Sequence, residues 1–410
     1  MEKIFNVLLL SFLIFSFNGF TQEIDSLVFK TDRLLEFGIK RRAFPGAQVL
    51  IFKNDTIRLN KTYGFQTYDS LVPIKKHHLY DLASVTKVLA STLAFMKLYE
   101  LYNIDLDQKV AAYVPSLKRS NKKNSSFREV LSHSGGWQPY IAHQNLVFNK
   151  RGRFKTKTIS YKQNKKFPVQ ISDSLFIHKK YSNKIYRRIR KTKLNNLGEY
   201  KYSGLWFFLL PEITKQLSGS SFSEFLQTYF YTPLKTERLG FLPSKKYSKS
   251  EIVPTENDSI FRKQLIQGWV HDEAAAMMGG ISGNAGLFSN ASSLKSLLQM
   301  LLQNGSYNGK QYLKPETIKK FTQRSYPNSN NRRGLGFDKP SIDPESNYPS
   351  LLASSSSYGH SGFTGTFIWV DPTNKCFLIF LSNRVYPSRN QRKLYSLDIR
   401  GKLLDYAIQF

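Results

Sequence analysis

Apolar runs near both ends of the chain predict two β-hairpins. In the first, β-prone residues at 46–52 and 56–59 flank an Asn54-Asp55 turn. In the second, similar runs at 366–370 and 376–381 flank a turn at 371–374. We expect the two hairpins to lie side by side in one antiparallel sheet.

The segment between the hairpins has a helical pattern. Five apolar residues at helical spacing predict a helix that begins near Ser84, namely Val88, Leu89, Leu93, Leu98 and Leu101. Two Ser-x-x-Glu sequences, at Ser126 and Ser221, have capping-box spacing and predict further helix starts. Helices are also predicted at 294–302 and about 391–407. The predicted fold class is α/β (α+β): an antiparallel sheet built from both chain ends and flanked by helices, with an inserted, mostly helical domain and a cleft between the two.

The N-terminus has the pattern of a secretory signal peptide. Lys3 precedes an apolar run at 4–17, which is followed by small and polar residues. We expect a signal peptide at 1–21 and an exported, periplasmic domain at 22–410, or a membrane-tethered protein if the apolar run is retained. The sheet subdomain is expected at about 22–80 and 335–410, and the helical subdomain at about 85–330.

Positive charge is concentrated in one segment. The chain has a net charge of +31, and residues 149–193 contain sixteen lysines and arginines against one acid, Asp173. This basic insertion is expected either to be a solvated, mobile segment or to hold an anionic envelope polymer or a membrane surface. It could also border the substrate groove as a lid. No nucleic-acid partner is expected, because the segment matches no recognised nucleic-acid-binding fold.

Cysteine and histidine usage gives no sign of a disulfide, a metal or a cofactor. Cys376 is the single cysteine and lies in an apolar run, which predicts a buried strand. His133, His271, Asp272 and His360 do not have the spacing of a compact zinc motif.

Ser84 and Lys87 are the first candidates for chemistry. On a helix, residues three apart share a face, so a neutral Lys87 amine could take the proton of the Ser84 hydroxyl. Ser120 with Lys123 and Ser292 with Lys295 have the same spacing. Only Ser84 lies between a predicted strand and an apolar helix, where a lysine would be shielded from water.

Two further segments could complete an acyl-transfer site. A tyrosine hydroxyl at Tyr202 could relay a proton beside a lysine, although a tyrosine in such an apolar segment commonly belongs to the core. The segment 360–365 precedes the second hairpin, and its glycines would let a backbone amide approach a developing oxyanion.

In this order, the three segments resemble the SxxK, YxN and KTG signatures of serine β-lactamases and penicillin-binding proteins, with an HSG variant of the third. The flanking sequences at 44–47 and 130–136 also resemble that family, and those at 270–273 and 279–289 resemble its low-molecular-weight penicillin-binding proteins. The similarity extends over about residues 27–408 and is to class C β-lactamases in particular.

The resemblance implies a role for each matching residue. Ser84 would be the acylated nucleophile, Lys87 its base and Tyr202 the proton-transfer partner. Substrate would be bound by His360, Ser361, Gly362 and Phe363, with the amides of Ser84 and Phe363 forming the oxyanion hole. The implied substrate is a small molecule or a peptidoglycan-derived peptide, amide or ester. Gly204 departs from the family, which has Asn or Asp there, and this leaves a catalytically degenerate binding module as the alternative.

Overall fold

The computed structural model describes residues 23–410, so the expected signal peptide at 1–21 lies outside the described residues. The described chain begins in helix α1, over residues 23–40. The other helices are α2 (Leu93–Tyr102), α3 (Phe127–Leu131), α4 (Tyr181–Lys191), α5 (Leu210–Ser218), α6 (Phe222–Leu226), α7 (Glu273–Met277), α8 (Ala291–Leu302), α9 (Pro315–Thr322), α10 (Lys393–Ser396) and α11 (Ile399–Gln409). The strands are β1 (Gly46–Lys53), β2 (Thr56–Gly64), β3 (Tyr80–Asp81), β4 (Ile159–Ser160), β5 (Val169–Ser172), β6 (Leu175–Ile177), β7 (Gly240–Phe241), β8 (Glu256–Asp258), β9 (Gln264–Ile266), β10 (Leu287–Ser289), β11 (Ser306–Tyr307), β12 (Lys310–Gln311), β13 (Tyr358–Ser361), β14 (Phe367–Asp371) and β15 (Cys376–Ser382).

The main sheet joins the two ends of the chain. Its strand order is β13-β14-β15-β1-β2, and all neighbours are antiparallel. Both predicted hairpins are present, and they meet where β1 pairs with β15 and Val49 lies opposite Phe380. The predicted fold class is therefore confirmed.

Both faces of the sheet are covered. In β1, Val49 and Ile51 pack in a core formed with α1 and α11, whereas Leu50 and Phe52 pack in a second core formed with the middle of the chain. Successive residues of a strand point to opposite faces, so a strand buried on both sides is apolar throughout. Cys376 is buried in β15, as expected, and burial raises the pKa of its thiol to about 12.

Local signals predicted helix starts better than helix ends. Both capping boxes are present, at the starts of α3 and α6. The helix expected at about 391–407 is instead two helices, α10 and α11, because the chain breaks at Asp398, where φ is 49°. Leu101, expected on the buried face of α2, is 44% exposed. Among the described residues, no helix is both long and apolar enough for a membrane span.

The basic insertion at 149–193 is folded. It contributes the three-stranded sheet β4-β6-β5 and helix α4. Tyr181, Ile185 and Ile189 lie on one face of α4 and are buried in the core formed with the middle of the chain. The expectation of a mobile segment is therefore wrong, because apolar residues at helical spacing hold the basic residues on an ordered surface.

Candidate active site

Ser84 lies directly after β3, at a junction held by a buried carboxylate. Asp81 accepts hydrogen bonds from the amide of Ala83 at 2.8 Å and from the amide of His271 at 2.6 Å. Ala83 has a φ of 46°, a left-handed conformation that is unfavourable for a residue with a side chain. Turns of 3₁₀ helix (Ala83–Val85) and π helix (Lys87–Thr92) then lead into α2. This strained, tethered turn presents the Ser84 side chain at the surface of the cleft.

Lys87 lies one turn after Ser84 and is almost completely buried. Its Nζ is 3.0 Å from Ser84 Oγ and donates to the carbonyl oxygen of Asn284 at 2.9 Å. The side chain of Lys87 is 3% exposed, and the rings of Tyr202 and Phe207 lie 5.5 and 5.6 Å from its Nζ. The amine is thus in contact with the hydroxyl and shielded from bulk water. The other two matches differ, since Lys123 is exposed and Lys295 is half-buried on α8.

Tyr202 is the third group of this cluster. Its ring centroid is 4.6 Å from that of His133 and 5.9 Å from that of His360. Its hydroxyl is buried and has no hydrogen-bond partner among the described residues. His133 positions this segment, because its Nδ1 accepts from the amide of Ser203 at 3.2 Å. Burial, reinforced by Arg333, holds the pKa of His133 well below its usual range. The structure therefore brings Ser84, Lys87 and Tyr202 together, and leaves the phenolic hydroxyl without a hydrogen-bond partner in the described chain.

His360 lies on β13, the edge strand of the main sheet, and is buried. Its Nδ1 is 2.8 Å from the carbonyl oxygen of Ser361, which can only accept, so the proton is on Nδ1. Burial, then the nearby Arg333, lower the pKa of His360 to about 3. A neutral His360 cannot supply the positive charge of the lysine that the KTG signature has here.

The turn after His360 packs directly against the Ser84 segment. Thr364 donates to the carbonyl oxygen of Asp81 at 2.7 Å, and Thr366 donates to that of Leu82 at 2.9 Å. A Cβ on Gly362 would lie 2.0 Å from Thr366 Oγ1 and 2.6 Å from the Leu82 oxygen. Glycine at 362 therefore permits two protein segments to meet, rather than a ligand to approach, and the contact brings Phe363 to the same cleft as Ser84.

Gly204 borders the buried amine. A Cβ on Gly204 would lie 3.9 Å from Lys87 Cε and 4.0 Å from its Nζ, which is ordinary contact distance. An asparagine or aspartate side chain at position 204 would therefore reach Lys87. In this chain, glycine leaves that space without a side chain.

Two pockets meet at Ser84 and Phe363, which border both. One has a volume of about 320 Å³ and is lined by Ser84, Tyr202, Arg332, Arg333, Asp338, Tyr348, His360, Ser361, Gly362, Phe363 and Tyr395. The other has a volume of about 350 Å³ and is lined by Ala83, Ser84, Tyr140, Gln144, His271, Asp272, Glu273, Ala285, Phe363 and Arg389. We call them the arginine pocket and the acidic pocket. Neither lining includes a residue of the basic insertion within the described chain, so the lid expectation gains no support.

The arginine pocket contains two guanidinium groups and one carboxylate. Asp338 lies 2.8 Å from Arg332 Nε and 3.3 Å from Arg333 Nη2, and it accepts from the Tyr348 hydroxyl at 2.8 Å. Burial would raise the pKa of Asp338, but Arg333 and Arg332 lower it to about 2. Two cations thus share a single anion in this pocket.

The acidic pocket has its own ion-pair network. Arg389 contacts Glu256 at 2.6 Å and Glu273 at 2.8 Å, and His271 Nε2 is 2.7 Å from Glu256. Burial would raise the pKa of Glu256, but hydrogen bonds from His271 and Arg389 lower it to about 2. This network fixes the start of α7, which carries Asp272 and Glu273, in the pocket beside Ser84. No group of three or more potential metal-ligating side chains is found within residues 23–410.

Sequence reasoning missed the three arginines of the pockets, Arg332, Arg333 and Arg389. Arg332 and Arg333 directly precede the glycine-rich segment 334–337, and a charge pair next to such an apolar segment was the available signal. Tyr140, Gln144 and Arg389 had no comparable signal, because Tyr140 and Arg389 lie outside the helices and strands, and Gln144 lies in a five-residue 3₁₀ helix that is too short to show periodicity.

Comparisons with known proteins agree with this fold. The chain is 29% identical over 366 residues to an Escherichia coli K12 protein named "Putative D-alanyl-D-alanine carboxypeptidase", covering 83% of this chain and 79% of that protein. A penicillin-binding protein homologue from Caulobacter crescentus has a similar structure, with a TM-score of 0.64, 17% identity and coverage of 92% and 96%. EstCE1, a hydrolase with promiscuous acyltransferase activity, has a TM-score of 0.66 at 17% identity, with coverage of 94% and 99%. The model of the family described as Beta-lactamase matches residues 31–400, and the chain therefore belongs to the beta-lactamase family.

Proposed function

We propose that this protein is an exported serine hydrolase that forms an acyl-enzyme on Ser84 and acts on cell-wall peptides that end in D-alanine, or on related amides and esters. The observation that carries the proposal is the 3.0 Å contact between Ser84 Oγ and the buried Lys87 Nζ. The name of the Escherichia coli relative supports the choice of peptide substrate.

The proposed reaction uses three groups in sequence. Ser84 Oγ attacks the substrate carbonyl carbon while a neutral Lys87 amine accepts its proton. The amides of Ser84 and Phe363 stabilise the oxyanion of the tetrahedral intermediate. The Tyr202 hydroxyl passes a proton to the leaving nitrogen or oxygen as the scissile bond breaks. Water then attacks the ester on Ser84 by the reverse sequence of proton transfers and releases the acid.

Covalent labelling tests this proposal. We expect the protein without its first 21 residues to be labelled by a fluorescent penicillin or a fluorophosphonate, and Ser84→Ala to abolish the label. Ser292→Ala, which removes the serine of a second Ser-x-x-Lys sequence, is the matched control and should label normally. A panel of penicillin, acyl ester and D-Ala-D-Ala peptide then identifies the preferred substrate. Absence of labelling in the wild-type protein, with both probes, would count against the acyl-enzyme.

A second candidate function rests on the basic insertion. We propose that its ordered surface binds an anionic polymer of the cell envelope, which would hold the hydrolase at its substrate. The exposure of its basic residues supports this proposal. All of the sixteen lysines and arginines at 149–193 except Arg188 and Arg190 are exposed. Attraction over a Debye length of about 10 Å would make such binding sensitive to salt.

Neutralising substitutions test this surface better than deletion, because α4 supplies residues to the core. We expect glutamine at Lys179, Lys180, Lys184 and Arg187 to weaken sedimentation with purified cell walls at low salt, while Ser84 labelling is retained. Glutamine at four exposed lysines elsewhere, at positions 30, 40, 76 and 118, is the matched control. Equal losses in both variants would show an effect of net charge alone and remove the proposal.

A further inference from the structure

Tyr202 is placed to transfer a proton, but the position of the third signature supplies it with no positive charge. In the sequence, His360 stands where the KTG signature has a lysine. The proton on Nδ1 of His360 points to the Ser361 carbonyl oxygen, and its Nε2 is buried without a partner among the described residues. A cation that favours loss of the phenolic proton must therefore come from another element.

Arg333 is a buried cation whose guanidinium lies over the Tyr202 ring. Its guanidinium carbon lies 5.3 Å from the ring centroid, and the residue is 4% exposed. Nη1 of Arg333 is buried with no hydrogen-bond partner in the described chain, while Nη2 is 3.3 Å from Asp338. A guanidinium over an aromatic face is attracted by the ring, and more strongly when the ring carries the charge of a phenolate.

Every charged or titratable group near Tyr202 is consistent with this arrangement. Lys87, His133, Arg333 and His360 lie against the Tyr202 ring, while Tyr200 and Asp338 contact Arg333. Asp338 lies behind Arg333, where it also pairs with Arg332, so it fixes the guanidinium without neutralising both arginines. Lys87 is neutral when it accepts the Ser84 proton and becomes a cation only through that transfer, which leaves Arg333 as the permanent cation among these six groups.

We propose that Arg333 is a positioning residue for the reaction, which acts through Tyr202: its guanidinium stabilises the phenolate that forms during proton transfer and so replaces the charge that His360 does not provide. The inference rests on the proposed function, since it assigns Tyr202 the proton transfer. It also gives a role to a buried arginine that lies 27 residues before His360 in the sequence and beside Tyr202 in the structure.

The kinetic test uses an acyl ester without a carboxylate, so that substrate charge plays no part. We expect Arg333→Gln to lower kcat about 10- to 30-fold with little change in KM, the range for a desolvated cation over an aromatic ring. The alkaline limb of the pH profile of kcat/KM, where Tyr202 loses the proton that it must donate, should move to higher pH, and Arg333→Lys should retain part of the activity. In a Tyr202→Phe background, Arg333→Gln should cause no further loss, because the arginine acts through the hydroxyl.

Moving the charge gives a second, independent test. We expect Arg333→Gln combined with His360→Lys to recover part of the lost kcat, because a cation is restored beside Tyr202 from position 360. An ultraviolet difference titration separates Tyr202 from the other 22 of the 23 tyrosines, because the spectrum of the matching Tyr202→Phe variant is subtracted at each pH. The difference should show the Tyr202 phenol ionising at higher pH in Arg333→Gln than in the wild type. This titration requires no turnover, so it tests Arg333 even if the Ser84 labelling experiment fails.

Two results would overturn the proposal. The first is an Arg333→Gln variant with unchanged ester kcat and pH profile, and a raised KM only for peptides with a C-terminal carboxylate, which would make Arg333 a substrate-binding residue. The second is a full additional loss when Arg333→Gln is combined with Tyr202→Phe, which would show that the arginine does not act through the hydroxyl. An unchanged tyrosine titration in Arg333→Gln leads to the same conclusion.

Discussion

Gly204 leaves one side of the Lys87 amine without a side-chain partner. The amine contacts Ser84 Oγ and the Asn284 carbonyl oxygen, and a Cβ on Gly204 would lie at contact distance from it. An asparagine there could accept from the amine and donate to a substrate carbonyl. Its absence removes one oriented hydrogen bond from a buried site, where each is worth about 1 kcal/mol.

Gly204→Asn should therefore improve acylation. We expect the second-order rate of acylation by a penicillin to rise about tenfold, equivalent to about 1.4 kcal/mol of transition-state stabilisation. Stopped-flow measurement of acylation checks this. Gly204→Ala is the matched control, because it places the same Cβ without the amide; an equal gain in both variants would rule out the hydrogen bond as the cause.

At the level of elements, β13 is held between β14 and the segment that carries Arg332, Arg333 and Asp338. Gly359 lies opposite Trp369 in β14, and on its other side it exchanges backbone hydrogen bonds of 2.8 and 3.0 Å with Asp338. A Cβ on Gly359 would lie 2.2 Å from the Ile368 oxygen and 2.4 Å from Trp369 Cε3. The strand thus sets the position of His360 and of the segment that carries Arg333.

Gly359→Ala should displace this strand. We expect the free energy of unfolding to fall by about 1–3 kcal/mol, the cost of overpacking, and Ser84 labelling to slow because His360 and Arg333 move. Gly240→Ala in β7 is the matched control, since its nearest neighbour would be Gln227 Nε2 at 3.9 Å. Urea denaturation and labelling rates measure both effects, and equal stability of the two variants would contradict this account.

Across the whole molecule, buried histidines make stability depend on pH. Burial lowers the pKa of His78 and His143 to about 4 and that of His360 to about 3. Below pH 6.5 an unfolded histidine binds a proton that these folded histidines do not, so the unfolded state gains protons and stability falls as pH falls. The Asp338 and Glu256 carboxylates, with pKa values of about 2, lose their contribution only below pH 4 or so.

The free energy of unfolding should therefore decrease between pH 7 and pH 5. His360 alone accounts for about 2 kcal/mol of that decrease, from its displacement below the ordinary histidine value of about 6.5. Urea titrations at the two pH values check this, and His360→Gln should reduce the difference. The exposed His77 is the control, because His77→Gln should leave the difference unchanged; a protein equally stable at both pH values would refute the prediction.

The sequence by itself determined the features that depend on neighbouring residues. Apolar runs around tight turns predicted both hairpins, and Ser-x-x-Glu spacing predicted the starts of α3 and α6. Spacing of three residues placed Lys87 beside Ser84, because one helical turn brings such side chains together. These signals are local, so no knowledge of the distant chain was needed to interpret them.

Only the tertiary structure decided which distant segments meet at Ser84. Arg333 is 131 residues after Tyr202 in the sequence, yet its guanidinium lies over that ring, and each pocket is lined by segments that are far apart in the sequence. The charge count of the basic insertion did not reveal its order, which comes from three apolar residues of α4 in the core. Local patterns fix the conformation of a segment, whereas the neighbours of a buried charge are fixed by packing across the whole chain.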